Sequence, residues 1–163
     1  MKDIRTQDRS TLQNLFWDDI DGRMKNIGVV KRSRRRTRAQ KENTPHVYIV
    51  PLGSSHGFIS NTIDTEEGVL RARLYMYSEL TEKIYSAFIK ERNSIEEELV
   101  VDNVLWNPPP KNRMAWDTRT IGFIRSFDLF NESNWDATLD WTASRIVILH
   151  HVFRRRLHKY AVE

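Results

Sequence analysis

The sequence predicts an α+β fold. The expectation is a largely antiparallel sheet of about five strands in the chain order α-βββ-α-ββ-α, with the helices packed mainly on one face. Three observations carry it. From Asn134 to Tyr160, the residues Trp135, Leu139, Thr142, Ile146, Leu149, Val152, Phe153, Leu157 and Tyr160 recur at the spacing of one wide helical face. From Val69 to Tyr77 the pattern alternates: Leu70, Ala72, Leu74 and Met76 point one way, and Arg71, Arg73, Tyr75 and Tyr77 the other. Before that strand stand two more, His46–Leu52 and Phe58–Ile63, joined by short turns that force antiparallel pairing. A helix with so broad an apolar face needs a broad surface to lie on, and the sheet supplies it.

The remaining elements follow in order. Thr11–Ile27 reads as a helix, with Leu12, Leu15, Phe16, Ile20, Met24 and Ile27 on one face and Gly22 as a weak point. The stretch 31–45 reads as a basic polar loop, closed by Pro45 and long enough to be mobile or to hold a ligand. Gly53–Gly57 is a turn, and Asp64–Gly68 a hairpin loop. Ser78 is placed to cap a helix running to Leu99, with Leu80, Ile84, Ala87, Phe88 and Ile95 inward. Leu99–Trp106 is read as a fourth strand, stopped by Pro108, Pro109 and Pro110, and Ala115–Ile124 as a fifth. Gly122 in the fifth marks a bulge or a close-contact point. Ser133 or Asn134 can supply the cap oxygen of the last helix. Asp136 near its start and Arg154, Arg155, Arg156, His158 and Lys159 near its end follow the helix dipole.

At 163 residues the chain has the length of one domain with a real core. Five Trp, five Tyr and seven Phe give the bulk to fill it. Cysteine is absent, which excludes disulfides, thiolate metal sites and thiol nucleophiles. No apolar run is long enough for a membrane span, and the N-terminus lacks a signal-peptide core, so a cytoplasmic protein without membrane contact is expected. The net charge of +4 is unevenly placed. Lys31, Arg32, Arg34, Arg35, Arg36, Arg38 and Lys41 crowd one stretch without an acid, while acids gather at 18–21, 64–67 and 96–98. Clustered base beside a globular body is the footprint of nucleic-acid binding, and equally the look of a solvated loop.

Catalytic and metal chemistry find little support. A restriction-type nuclease needs clustered carboxylates and a lysine on adjacent strands. Here Arg71 and Arg73 occupy the strand positions where acids would stand, and Asp102 and Asp117 have no lysine beside them. His150 and His151 are adjacent and diverge on a helix; His158 is too far along it to join them on one ion. Ser54 or Ser55 beside His56 lacks the turn that presents a nucleophile. No catalytic residue, metal site or cofactor is therefore assigned. The suggestive surface is the strand face Arg71, Arg73, Tyr75 and Tyr77, where tyrosines can stack bases and arginines hold phosphates. Tyrosine and arginine also favour protein contacts.

Several segments together resemble the family known as domain of unknown function 4268. They are Leu12–Trp17, Gly57–Ile63, Leu70–Met76, Arg92–Leu99 running on to Leu105 and Trp106, then Trp135, Asp140, Trp141 and the tail Val152–Leu157. The likeness spans nearly the whole chain in order. It implies a prokaryotic protein from a DNA-handling or defence setting, since such domains occur alone or behind restriction-nuclease-like domains. It implies no activity. Where the family often carries an acid in the third strand, this chain has Arg73, so any role of that carboxylate is absent.

The functional expectation is a non-catalytic domain that binds DNA or RNA, or a nuclease-type partner protein. Phosphates would meet the arginines of 32–38, and the 71–77 face would make the more shaped contact. The alternative is a homodimeric interaction module, and a degenerate nuclease stands last.

Overall fold

The computed structural model describes residues 4–28, 34–36, 47–100, 103–107 and 118–160, with backbone alone at 4–8, 34–36 and 107. In chain order the elements are α1 (Ile4–Ile27), β1 (Arg34–Arg36), β2 (Val47–Pro51), β3 (Gly57–Asp64), β4 (Val69–Met76), α2 (Thr81–Lys90), α3 (Arg92–Leu99), β5 (Leu105–Asn107), β6 (Arg119–Ser126) and α4 (Trp135–His158). A single 3-10 turn, Glu132–Asn134, leads into α4. The strands form one sheet in the order β1-β2-β3-β4-β6-β5, antiparallel throughout.

The alternation in β4 sets the layering. Leu70, Ala72, Leu74 and Met76 are fully buried, and Val69, Arg71, Arg73 and Tyr75 on the other face are partly exposed. Register carries this parity across the sheet, because residues directly opposite one another share a face. Ile59 and Ile121 flank Leu74, and Val50 follows beyond Ile59. Onto that inner face α4 lays Leu139, Ile146, Leu149, Val152, Phe153 and Leu157. α1 packs beside α4, and its Trp17 ring stacks on Tyr48 of β2 with centroids 5.4 Å apart. α2 joins the same layer through Phe88, 5.5 Å from Phe153. The described helices therefore cover one face, as the sequence predicts. Each fully buried Leu or Ile contributes about 1.5–3 kcal/mol to this layer.

The structure corrects several boundaries. The stretch 31–45, expected as a loop, contains β1, so the sheet gains a sixth strand at its edge. α1 begins at Ile4 rather than Thr11. Its buried side is Gln13, Phe16, Trp17, Ile20 and Met24, while Leu15 and Ile27 are exposed. The helix expected from Ser78 to Leu99 breaks at Glu91 (φ −98°, ψ 14°), where the backbone leaves α geometry between α2 and α3. Leu99 belongs to α3 rather than to a strand. The chain then turns through two residues of positive φ, Val100 (57°) and Asn103 (70°), which shortens β5 to three residues. β6 starts at Arg119, four residues later than Ala115. The α4 cap also differs: Asn134 makes no side-chain cap bond, and Asn131 Oδ1 instead accepts from Ser133 N at 3.2 Å, closing the 3-10 turn.

Candidate nucleic-acid interface

The outer face of the sheet carries no helix among the described residues. Its centre is a row of directly opposed residues: Arg34, Ile49, Ser60, Arg73, Gly122 and Leu105, one from each strand. The next row runs Arg36, Val47, Thr62, Arg71 and Ile124. The arginine-rich stretch and the basic strand face, far apart in sequence, thus belong to one sheet and share its rows. Three strand spacings separate β1 from β4, on the order of 14 Å.

Two arginines that look alike in sequence differ in surroundings. Arg71 is engaged: Nη2 donates to Glu67 Oε2 at 2.7 Å, and Nη1 lies 3.6 Å from Asp64 Oδ2. The hairpin places both acids, since Asp64 Oδ1 also accepts the backbone N–H groups of Glu66 and Glu67 at 3.0 Å each. Arg73, one pleat further on, meets no carboxylate among the described residues, and its Nε is enclosed without an acceptor. Burial, and then the Arg71 charge, hold its pKa below the usual arginine value. The guanidinium remains a cation, so this lowering marks an uncompensated charge that an anionic ligand would relieve.

The close approach expected at Gly122 explains how Arg73 is seated. A Cβ at Gly122 would stand 2.3 Å from the Ala72 carbonyl oxygen and 2.6 Å from Arg73 Cα. The missing side chain lets β4 and β6 come together and leaves Arg73 the space above the glycine. Ser60 and Thr120, both nearly buried, border it.

Beside the cation lies an aromatic platform. Phe58 of β3 stacks on Tyr75 at 5.4 Å (interplanar angle 29°) and meets Tyr77 edge-on at 5.6 Å, while the two tyrosines lie 6.0 Å apart. Phe58 escaped the sequence reading as a site residue; its signal is the cross-strand pairing with Tyr75, which strand alternation alone does not supply. Lys31, Arg32 and Arg38 lie outside the described residues, and for Arg34, Arg35 and Arg36 the backbone position alone is fixed.

The serine and histidine candidates stand elsewhere in the chain. Ser54 Oγ accepts the His56 backbone N–H at 3.1 Å and does not face its ring. The His56 ring is buried, with Nε2 2.9 Å from the Tyr160 carbonyl and Nδ1 2.8 Å from Ser78 Oγ. A carbonyl only accepts, so Nε2 carries a proton, and in the neutral tautomer this leaves Nδ1 to accept from the Ser78 hydroxyl. His56 thereby ties the end of α4 to the approach of α2. His150 is nearly buried on α4, and His151 and His158 are exposed there. Among the described residues no group of three or more acids and histidines is placed to hold a metal ion. Asp102 and Asp117 lie outside the described residues. A cleft of about 410 Å³ between the 65–68 turn and the 126–134 loop is lined by Glu66, Glu67 and Asp128, the wrong sign for a phosphate. No described helix is long and apolar enough to cross a membrane.

An open antiparallel sheet with one face under helices and a basic-aromatic opposite face defines the class of this protein. The chain belongs to the family described as a domain of unknown function, DUF4268, whose model matches residues 12–157. No curated protein matches the chain, and no solved structure does.

Proposed function

We propose that this protein binds single-stranded nucleic acid across the outer face of its sheet. Arg73 receives a backbone phosphate, and bases stack on the Phe58–Tyr75–Tyr77 platform. The observation that carries the reading is the uncompensated Arg73 guanidinium beside three clustered rings, in the same row as Arg34. Stacking requires unpaired bases, which favours a single strand over a duplex. The register of β1 supports a path of phosphates from the arginine-rich edge toward β4. Binding here is non-catalytic, and a nucleic-acid-processing partner in a prokaryotic cytoplasm is the setting that suits it.

The test is fluorescence anisotropy of a labelled thymidine oligonucleotide. Arg73→Gln and Tyr75→Ala each weaken binding by about 1–3 kcal/mol, and Arg73→Gln also flattens the salt dependence. Unchanged affinity in both variants refutes the proposal.

A second reading has its own observation. Leu105 (38 % exposed) and Ile124 (43 %) lie on the same outer face toward β5, an apolar patch suited to a second copy of the chain. Light scattering decides it: a dimeric mass that Ile124→Lys converts to a monomer supports the homodimer, and a monomeric wild type excludes it.

A further inference from the structure

On the helix-covered side of β6 lies another group of cations without counter-charge. Arg125 of β6 and Arg145 of α4 both approach the Trp141 ring, with guanidinium carbons 6.0 and 5.3 Å from its centroid. Arg145 is also 5.3 Å from the Phe123 ring. Thr138, Trp141 and Arg145 follow one another at helical spacing on α4, so they form a single stripe facing β6. Arg125 Nε donates to Thr138 Oγ1 at 3.2 Å and Arg145 Nη1 to Ser144 Oγ at 3.3 Å, which fixes both heads but neutralises neither. Arg145 Nε is enclosed with no acceptor.

Several other described arginines find acids. Arg23, Arg71, Arg92, Arg119 and Arg156 each meet a carboxylate, whereas no ion pair of the described residues reaches Arg125 or Arg145. The two like charges disfavour each other: after burial, the Arg125 charge is what lowers the pKa of Arg145. Indole and phenyl faces offset part of this cost. Two guanidiniums within 6.0 Å of one indole ring, with donors to spare, match a ligand of charge near −2 with several acceptor oxygens. A phosphate monoester has that charge near neutral pH, whereas a backbone diester has about half of it.

We propose that Arg125, Trp141 and Arg145 form a binding site for a phosphate-monoester dianion, separate from the strand-binding outer face. Both guanidiniums hold the phosphoryl oxygens, and Trp141 shields them partly from water. The dianion comes either from free phosphate compounds or from the 5′ end of a nucleic acid.

The test is an NMR titration of the full chain with inorganic phosphate, at ionic strength held constant with chloride. The reporters are the Nε–H resonances of Arg125 and Arg145 and the indole N–H of Trp141. Saturable shifts at all three are expected. Arg145→Gln and Arg125→Gln each weaken phosphate binding by about tenfold or more, while Arg73→Gln leaves it unchanged, which separates this site from the outer face. Thymidine oligonucleotides with and without a 5′-phosphate distinguish the two sources. No shift beyond that caused by chloride, or a phosphate response that survives in both variants, overturns the proposal. The wild-type titration stands even if a variant fails to fold.

Discussion

Replacing Gly122 by alanine tests how tightly the two central strands are held. The added Cβ would lie 2.3 Å from the Ala72 carbonyl oxygen and 2.6 Å from Arg73 Cα. An ordinary carbon–oxygen contact is about 3.3 Å, so β4 and β6 must part by roughly 1 Å at this point. Arg73↔Gly122 falls in the interior of the ladder that runs from Val69↔Ser126 to Met76↔Arg119, and the separation stretches hydrogen bonds on both sides. Two or three weakened bonds at about 1 kcal/mol each, within the usual cost of overpacking, give roughly 3 kcal/mol. For a chain of this size that lowers Tm by roughly 6–12 °C. Urea unfolding measures it directly as a fall in midpoint at unchanged slope. The control is Gly22→Ala in α1, where a Cβ meets nothing within 4 Å and helix propensity yields a gain of about 0.5–1 kcal/mol. A Gly122→Ala protein within about 0.5 kcal/mol of wild type, the scatter of neutral surface changes, would refute the close-approach argument.

Other outcomes follow from single contacts. His56→Ala leaves the Tyr160 carbonyl and the Ser78 hydroxyl without their ring partner and costs about 2 kcal/mol. Trypsin should then cut faster at Arg154–Lys159, and an unchanged cleavage rate would contradict the tie between α4 and α2. Burial, and then the charges of Arg154 and His151, lower the pKa of His150 from its ordinary 6.5. Above that value both folded and unfolded states are neutral; as pH falls below it the unfolded chain protonates first, so stability declines until the native pKa is passed. His150→Gln should flatten this decline between urea midpoints at neutral and mildly acidic pH, and an identical profile would dismiss the burial argument. Glu67→Gln removes the 2.7 Å partner of Arg71. Nucleic-acid affinity should rise, and the slope of log affinity against log salt should steepen by about 0.7, the single-strand value, if Arg71 takes one phosphate. No change would mean that Arg71 lies off the path of the strand.

Much of the fold was legible because periodicity survives folding. The alternation of Leu70, Ala72, Leu74 and Met76 is the burial pattern of β4, and the stripe from Leu139 to Leu157 is the buried face of α4. The misses have local causes. Short strands such as β1 and β5 carry too few residues for a period to show. The run Leu99–Trp106 is apolar enough for a strand, but Leu99 closes α3 against the core and Val100 turns left-handed behind it. The helix break at Glu91 has no glycine or proline to announce it. For the site, the sequence placed Arg71, Arg73, Tyr75 and Tyr77 on one face. It could not separate an arginine held by Asp64 and Glu67 from one left without an acid. That distinction depends on where a hairpin folds back, as does the joining of Phe58 to Tyr75. The Arg125–Trp141–Arg145 cluster unites β6 and α4, and no local pattern brings those residues together.

Amide chemical-shift mapping with a short thymidine oligonucleotide shows whether the outer sheet face binds a single strand. Strand binding on the outer face should give saturable shifts along 58–62 and 71–77 and at Gly122, together with loss of those shifts in Arg73→Gln. Shifts confined to α1 and α4, or no shifts at low salt, would contradict it.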